Sequence, residues 1–308
     1  MIVTVTINPA IDRATTLQKL VPDKKLRCTD PLVEAGGGGI NVSKALKVLG
    51  ADSLAIFPAG GTNGNLLQQL LASAHIRYDV IQTEAETREN FTVTERFTNA
   101  QYRFVTPGGP LSREEVEKCL QAIRNTYPVP RIIVASGSLA PGVPEDFYAR
   151  IARLAKKQGI KFIVDTSGRP LQLALQEGVY LFKPSFSELC SLAGRESLQL
   201  EEVEAVAKSV FENSNCEVLV VSMGPAGAWL VTKDSNEHIP APQVEAVSTV
   251  GAGDSMIAGI VWMLAQGEPL SACVRFGVAC GSAATMNPGT QLFKKEDVLK
   301  LYACQQTV

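Results

Sequence analysis

The segment Ser248-Thr249-Val250-Gly251-Ala252-Gly253-Asp254-Ser255-Met256 sets small residues and one acid directly ahead of a long apolar run. Residues without bulk let the backbone approach a ligand, and the first N–H groups of a helix lack intrahelical partners, so they converge on an anion placed there. Asp254 falls on the first helical turn, where the helix dipole favours its charge and where it can face the same anion. A carboxylate beside a phosphate hole suits the removal of a proton from an attacking hydroxyl. The same spelling also serves a plain structural use, a left-handed glycine turn followed by a capping acid. A second candidate is Ala35-Gly36-Gly37-Gly38-Gly39-Ile40-Asn41-Val42-Ser43, which opens a helix of apolar period through Leu49. Four consecutive glycines cost backbone entropy and persist where side chains would obstruct something, such as a sugar lying on bare backbone. Asn41 adds an amide that can donate and accept; a flexible hinge with a polar cap is the alternative.

Other chemistries lose their support. No Gly-Lys dipeptide occurs, which excludes a P-loop, and the glycine run lacks the spacing of a dinucleotide fingerprint. Ser136-Gly137-Ser138 is no nucleophile elbow, and there is no His-Glu-x-x-His. Seven cysteines without a Cys-x-x-Cys pair and only two histidines fit a reducing cytoplasm and no zinc site. With 29 basic against 31 acidic side chains the formal charge is −2, so no positive field gathers nucleic acid. The longest apolar run, Met256 to Ala265, is about half of the ~20 residues a membrane span needs. The alternating start Met1 to Ile7, without a basic n-region, is expected to be a strand rather than a signal peptide.

The elements that must carry these segments follow from periodicity across the 308 residues. From residue 131 onward, Val/Ile-rich runs alternate with helical patterns: strands at Arg131–Ala135, Lys161–Asp165, Tyr180–Lys183 and Val218–Ser222, and a helix over Glu145–Gln158. That alternation implies a parallel sheet covered by helices. Two helices apolar on most faces, Gly253–Ala265 and Leu270–Met286, belong in the middle of a large domain. The first hundred residues instead hold short alternating segments, Asp12–Leu17, Leu26–Glu34, Asn90–Phe97 and Gln101–Thr106, with a turn at Thr98-Asn99-Ala100. These predict a small antiparallel sheet made of two insertions, whose apolar face needs a cover from the active site or a second subunit.

Taken together, in this order and separation, the two glycine-rich segments resemble the signature regions of the ribokinase-like (PfkB-family) carbohydrate kinases, and the likeness runs almost end to end. Lys25-Leu26-Arg27-Cys28, Phe57-Pro58-Ala59-Gly60-Gly61, Gln101-Tyr102-Arg103-Phe104-Val105 and Phe276-Gly277-Val278-Ala279 carry it further. The resemblance implies an α/β fold, a central mostly parallel sheet flanked by helices with a small β-sheet lid. The lid would comprise residues 12–34 and 88–106, and the body 1–11, 35–87 and 107–308. It further implies that Asp254 is the general base and that the backbone of Gly251, Ala252 and Gly253 stabilises the transferring phosphoryl. Asp12, Gly37, Gly38 and Asn41 would hold the sugar. Lys25, Arg27, Arg88, Arg103 and Ser138 would meet a phosphorylated rather than a neutral sugar, since the arginine fork matches phosphate oxygens. Lys25 would reach across a dimer interface between lids. Lys183, Ser185, Ser222, Gly224, Gly227, Thr249, Met256, Val278 and Ser282 would bind ATP.

Where the family carries Asn-x-x-Glu, tied to magnesium and phosphate, this chain has Ser185-Phe186-Ser187-Glu188; Glu188 remains for Mg²⁺. The resemblance leaves a monovalent cation open and implies a homodimer joined through the lid. The opening Thr6 to Asp12 is equally similar to the 1-phosphofructokinase and tagatose-6-phosphate kinase branch. Gly38 stands where that branch generally carries lysine, which favours the branch acting on fructose 6-phosphate. A silent sugar-phosphate sensor is the reading from another class, and the intact Gly-Ala-Gly-Asp argues against it.

Overall fold

The computed structural model describes residues 1–287 and 291–305. Along the chain, β1 (Ile2–Val5), β2 (Ala10–Leu17), β3 (Leu32–Gly36) and α1 (Gly38–Leu49) come first, then β4 (Ser53–Ala59), α2 (Gly61–Ser73) and β5 (Arg77–Gln82). Next are β6 (Arg88–Glu95), β7 (Gln101–Val105), α3 (Arg113–Arg124), β8 (Ile132–Ser136), α4 (Phe147–Gln158), β9 (Lys161–Asp165), α5 (Gly168–Glu177) and β10 (Val179–Phe182). The chain continues through α6 (Phe186–Leu192), α7 (Val203–Glu212), β11 (Cys216–Ser222), β12 (Ala228–Thr232) and β13 (Asn236–Ile239), and then α8 (Ala252–Gln266), α9 (Leu270–Thr285) and α10 (Lys295–Gln305).

Nine strands form the main sheet in the order β13-β12-β11-β10-β9-β8-β1-β4-β5. The run from β11 to β5 is parallel, and β12 and β13 close one edge antiparallel. Strand alternation divides the core between the two faces of the sheet. Ile133 and Ala135 of β8 belong to the same core cluster as Val116, Ile151 and Val203 on one side, while Ile132 and Val134 belong with Leu46, Ile257 and Val274 on the other. Helices α8 and α9 approach closely at two glycines. A Cβ on Gly259 would lie 2.7 Å from Cys280 Sγ, and one on Gly277 would lie 2.7 Å from Met256 O. Close backbone approach of this kind leaves little freedom in how α8 presents its N-terminus.

The small sheet has the order β3-β2-β6-β7. It is not wholly antiparallel, as its alternating pattern predicts: β2 and β6 pair parallel from Ala10↔Arg88 to Leu17↔Glu95. Those strands come from separate insertions, so no hairpin fixes their direction, and the connection between them passes through the body. The expected strand Leu26–Glu34 is strand only from Leu32 onward. Directly paired residues share a face, so Asp12, Asn90, Arg103 and Gln101 look one way and Phe91, Tyr102 and Phe104 the other. The first face meets the body where Ser248 Oγ donates to Gln101 Oε1 at 3.3 Å. The second face leaves Phe91, Tyr102 and Phe104 exposed.

Candidate active site

Parallel strands point their C-terminal ends to one side, and in such sheets ligands bind there. Here β8 ends in Ser136, β9 in Asp165 and β11 in Ser222, Lys183 follows β10, and the N-termini of α1 and α8 arrive over the same edge. Gly251 adopts the left-handed conformation (φ 75°) that the turn requires, and α8 begins at Ala252. Asp254 does not cap its helix. Its carboxylate instead accepts from Asn41 Nδ2 on Oδ2 at 2.9 Å and from Ser136 Oγ on Oδ1 at 3.2 Å. The glycine turn of the structural alternative is therefore present, and the capping acid is not.

Asn41 lies inside α1, past its N-cap Gly37. It spends its amide hydrogen on Asp254, while its Oδ1 is buried without a partner. Lys183 is 5% exposed; its Nζ lies 3.4 Å from Asp165 Oδ1, and a Cβ on Gly253 would lie 3.4 Å from the same atom. A buried cation thus adjoins the open backbone of the Gly251–Gly253 turn. Burial, then the charge of Asp165, push the Asp254 carboxyl up to about 6, against the opposing pull of Asn41, Lys183 and Ser136. Burial likewise raises the Asp165 carboxyl, with Lys183 holding it down. We expect an NMR titration of the unliganded protein, assigned by comparison with Asp254→Asn, to show one carboxyl with a midpoint near 6. A midpoint for Asp254 near the ordinary aspartate value of about 3.9 would contradict this.

The glycine run is explained by its neighbours. A Cβ on Gly36 would fall 2.1 Å from Asp12 Oδ2, one on Gly38 2.1 Å from Ser136 Oγ, and one on Gly39 2.5 Å from Val5 O. Gly37 combines φ 112° with contact to Thr6. The glycines therefore clear space for functional side chains rather than forming a bare floor alone. Asp12, inside β2, takes a bond from Asn90 Nδ2 on Oδ1 at 2.9 Å. Arg88, opening β6, donates from Nη1 to Thr106 O at 2.8 Å and from Nη2 to Asn8 O at 3.0 Å. Its Nε is buried with no partner. Burial lowers the hold of this guanidinium on its proton, and Asp12 opposes that.

A cavity of about 500 Å³ adjoins the turn and is lined by Ser222, Gly224, Gly227, Thr249, Met256, Val278 and Ser282, all expected from the sequence to bind nucleotide. Pro242, Gln243, Val244, Gly281 and Thr285 also line it, outside the set expected from the sequence. Ser185 and Glu188 form a capping box at α6: Glu188 Oε2 accepts from Ser185 N at 2.7 Å and Ser185 Oγ from Glu188 N at 3.3 Å. Ser185 thus acts as a helix cap, which an asparagine could also do.

Not every predicted residue is gathered here. Lys25 and Arg27 lie in the exposed connection between β2 and β3, and Arg103 is exposed on β7; no hydrogen bond or ion pair ties any of them to the cleft among the described residues. Ser138 is exposed too, with Asn8 Nδ2 donating to its Oγ at 3.5 Å. Conversely, Ser136, Asp165 and Asn90 belong to the site although the sequence reading passes over them. Their positions at strand ends, or opposite Asp12, are the signal that could have found them.

A buried carboxylate, a glycine turn, a buried lysine and an adjoining cavity are thus gathered at the C-terminal edge of the parallel sheet. The family described as "pfkB family carbohydrate kinase" matches residues 4–297, and the chain belongs to it. It is therefore a phosphotransferase with an alcohol acceptor. The chain is 42% identical over 301 residues to the ATP-dependent 6-phosphofructokinase isozyme 2 of Mycobacterium tuberculosis H37Rv, covering 98% of this chain and 88% of the relative. It is 41% identical over 303 residues to the Escherichia coli K12 isozyme 2, covering 98% of both. The crystal structure of Escherichia coli phosphofructokinase-2 in complex with fructose-6-phosphate superposes with a TM-score of 0.92 at 39% identity, covering 99% of each chain.

Proposed function

We propose that the chain transfers the γ-phosphoryl of ATP to the C1 hydroxyl of fructose 6-phosphate, giving fructose 1,6-bisphosphate and ADP. One observation carries the reading: the Asp254 carboxylate is held by Asn41 and Ser136 on the first turn of α8, next to the Gly251–Gly253 backbone that borders the cavity. In this reading Asp254 removes the proton of the attacking hydroxyl, and the turn with Lys183 meets the charge of the phosphoryl in flight. Asp12 and the free Oδ1 of Asn41 hold sugar hydroxyls. Arg88, anchored by Nη1 on Thr106 O and Nη2 on Asn8 O, meets the sugar phosphate with its remaining N–H groups. The lid (12–34 and 88–106) closes on the body and excludes water, so that ATP is not hydrolysed idly.

Mg²⁺ binds through one or two carboxylates and substrate phosphates rather than a full protein cage. Glu188 fits that donor set: its Oε2 serves the capping box, which leaves its other oxygen for the metal. When bound, the ion neutralises polyphosphate charge. The exposed aromatic face of Phe91, Tyr102 and Phe104 supports a homodimer joined lid to lid, which would also give Lys25 and Arg27 a phosphate to meet across the interface.

The test is an ATP-coupled assay on fructose 6-phosphate, tagatose 6-phosphate, fructose 1-phosphate and fructose. We expect fructose 6-phosphate to lead by kcat/KM. A lead for either of the next two would move the chain to the neighbouring branch, and a lead for the neutral sugar would remove the lid assignment. A further expectation is a sugar-free ATPase rate far below turnover; equal rates would contradict closure.

A further inference from the structure

Ser136 ends β8 directly beside Asp165 of β9 and is 2% exposed. Its Oγ lies 3.2 Å from Asp254 Oδ1 and 3.4 Å from Asp165 Oδ2. The space it fills is the space that the missing side chain of Gly38 leaves open. A hydroxyl carries one proton, so it can donate to only one of the two carboxylates at a time. From the opposite side, Asn41 Nδ2 holds Asp254 Oδ2. Two donors on two oxygens fix the plane of the carboxylate, and each oxygen keeps a lone pair for the proton of the substrate. The charged groups that act on Asp254 from neighbouring elements are Asp165 on β9 and Lys183 after β10; α1 contributes the neutral Asn41.

We propose that Ser136 is a positioning residue for phosphoryl transfer, one that fixes Asp254 while it is ionised and turns its proton to Asp165 once Asp254 has been protonated. This rests on the kinase reading above, in which Asp254 is the base. In that step the sugar O–H bond breaks and its proton goes to Asp254. The freed electron pair forms the bond to the γ-phosphorus, and the bond from that phosphorus to the bridging oxygen breaks with its pair leaving on ADP. Ser136 neither gains nor loses a proton; only the direction of its hydrogen bond changes. Such a donor keeps one carboxylate aligned before the transfer and gives the other a partner after it.

The experiment compares Ser136→Ala, Ser136→Cys and Asp254→Asn. In the alanine variant kcat should fall about 10–100-fold with both KM values within about threefold, because a misplacement on the order of 1 Å costs about 10²-fold. The NMR midpoint of Asp254 in the unliganded alanine variant should move to higher pH, since a donor favouring the charged form is gone. Cysteine, a weak donor of similar size, should recover part of kcat. Parental kcat and an unmoved midpoint in Ser136→Ala would overturn the proposal. Rises in both KM values that match the loss of kcat, with the midpoint unmoved, would also overturn it and leave Ser136 a packing residue. Near-parental kcat in Asp254→Asn would remove the kinase base itself, an outcome separable from the others.

Discussion

Asp254→Asn is expected to lose about 10²–10⁴-fold in kcat while the KM values for ATP and sugar phosphate stay within a few-fold. The loss corresponds to about 3–5 kcal/mol of barrier. Asparagine has nearly the shape of aspartate and keeps one acceptor for Ser136 Oγ. The amide nitrogen that replaces Oδ2 would face Asn41 Nδ2, but Asn41 can turn its amide over, because its own Oδ1 has no partner to give up. The variant therefore keeps the packing and loses only the ability to take a proton. Stability should move the other way. With the folded carboxyl raised to about 6 against an ordinary value near 3.8, the folded state binds the proton more tightly than the unfolded chain. That stabilising contribution is present at low pH and is lost as pH rises through about 6. Asparagine removes the dependence, so at pH 7.5 the Tm of the variant should be no lower than that of the parent. Steady-state kinetics and a melting curve check both halves; a variant with near-parental kcat sinks the base assignment, and one with a collapsed Tm shows that charge was not what the site loses.

Much of this site was legible in the sequence because local pattern and chemistry coincide there. The Gly251–Asp254 turn is readable from residue type alone: glycine for the left-handed turn, small residues for approach, and an acid on the first turn of a helix. Strands β8 to β11 are readable because buried parallel strands are unbroken apolar runs, and Lys161–Asp165 is predicted with its observed bounds. What sequence could not give is what depends on contacts between distant segments. The parallel pairing of β2 with β6 is such a case, since alternation marks a strand but not its neighbour's direction. Gly38 is another: its need for no side chain comes from Ser136, 98 positions away in the chain. Asp165 carries no local signal beyond ending a strand, and only the fold brings Lys183 and Ser136 to it. Helix α2, with a polar-rich Gly61–Ser73 sequence, escaped because three buried positions, Gly64, Leu67 and Leu71, make a thin apolar stripe.

Arg88→Gln should raise the KM for fructose 6-phosphate about 10²-fold, with the KM for ATP unchanged and a smaller effect on kcat. Hydrogen bonds to charged groups contribute about 1.5–3 kcal/mol, and 3 kcal/mol is about 10² in affinity. The four cations expected at the lid are not equivalent, and geometry separates them. Lys25, Arg27 and Arg103 are exposed within this chain, and single exposed charges contribute little. Arg88 is instead anchored by Thr106 O and Asn8 O, which fix its guanidinium before any ligand arrives, so little side-chain entropy is lost when its remaining N–H groups meet an anion. The residue sits level with Ala10, two positions from Asp12, the residue proposed to hold the sugar. Glutamine keeps a hydrogen-bonding end but no charge and too short a reach for both carbonyls. The variant should therefore lose its discrimination between fructose 6-phosphate and fructose far more than its turnover of either at saturation. Kinetics on both sugars decide the matter: if the ratio of their kcat/KM values stays at the parental level in a folded variant, Arg88 does not read the phosphate.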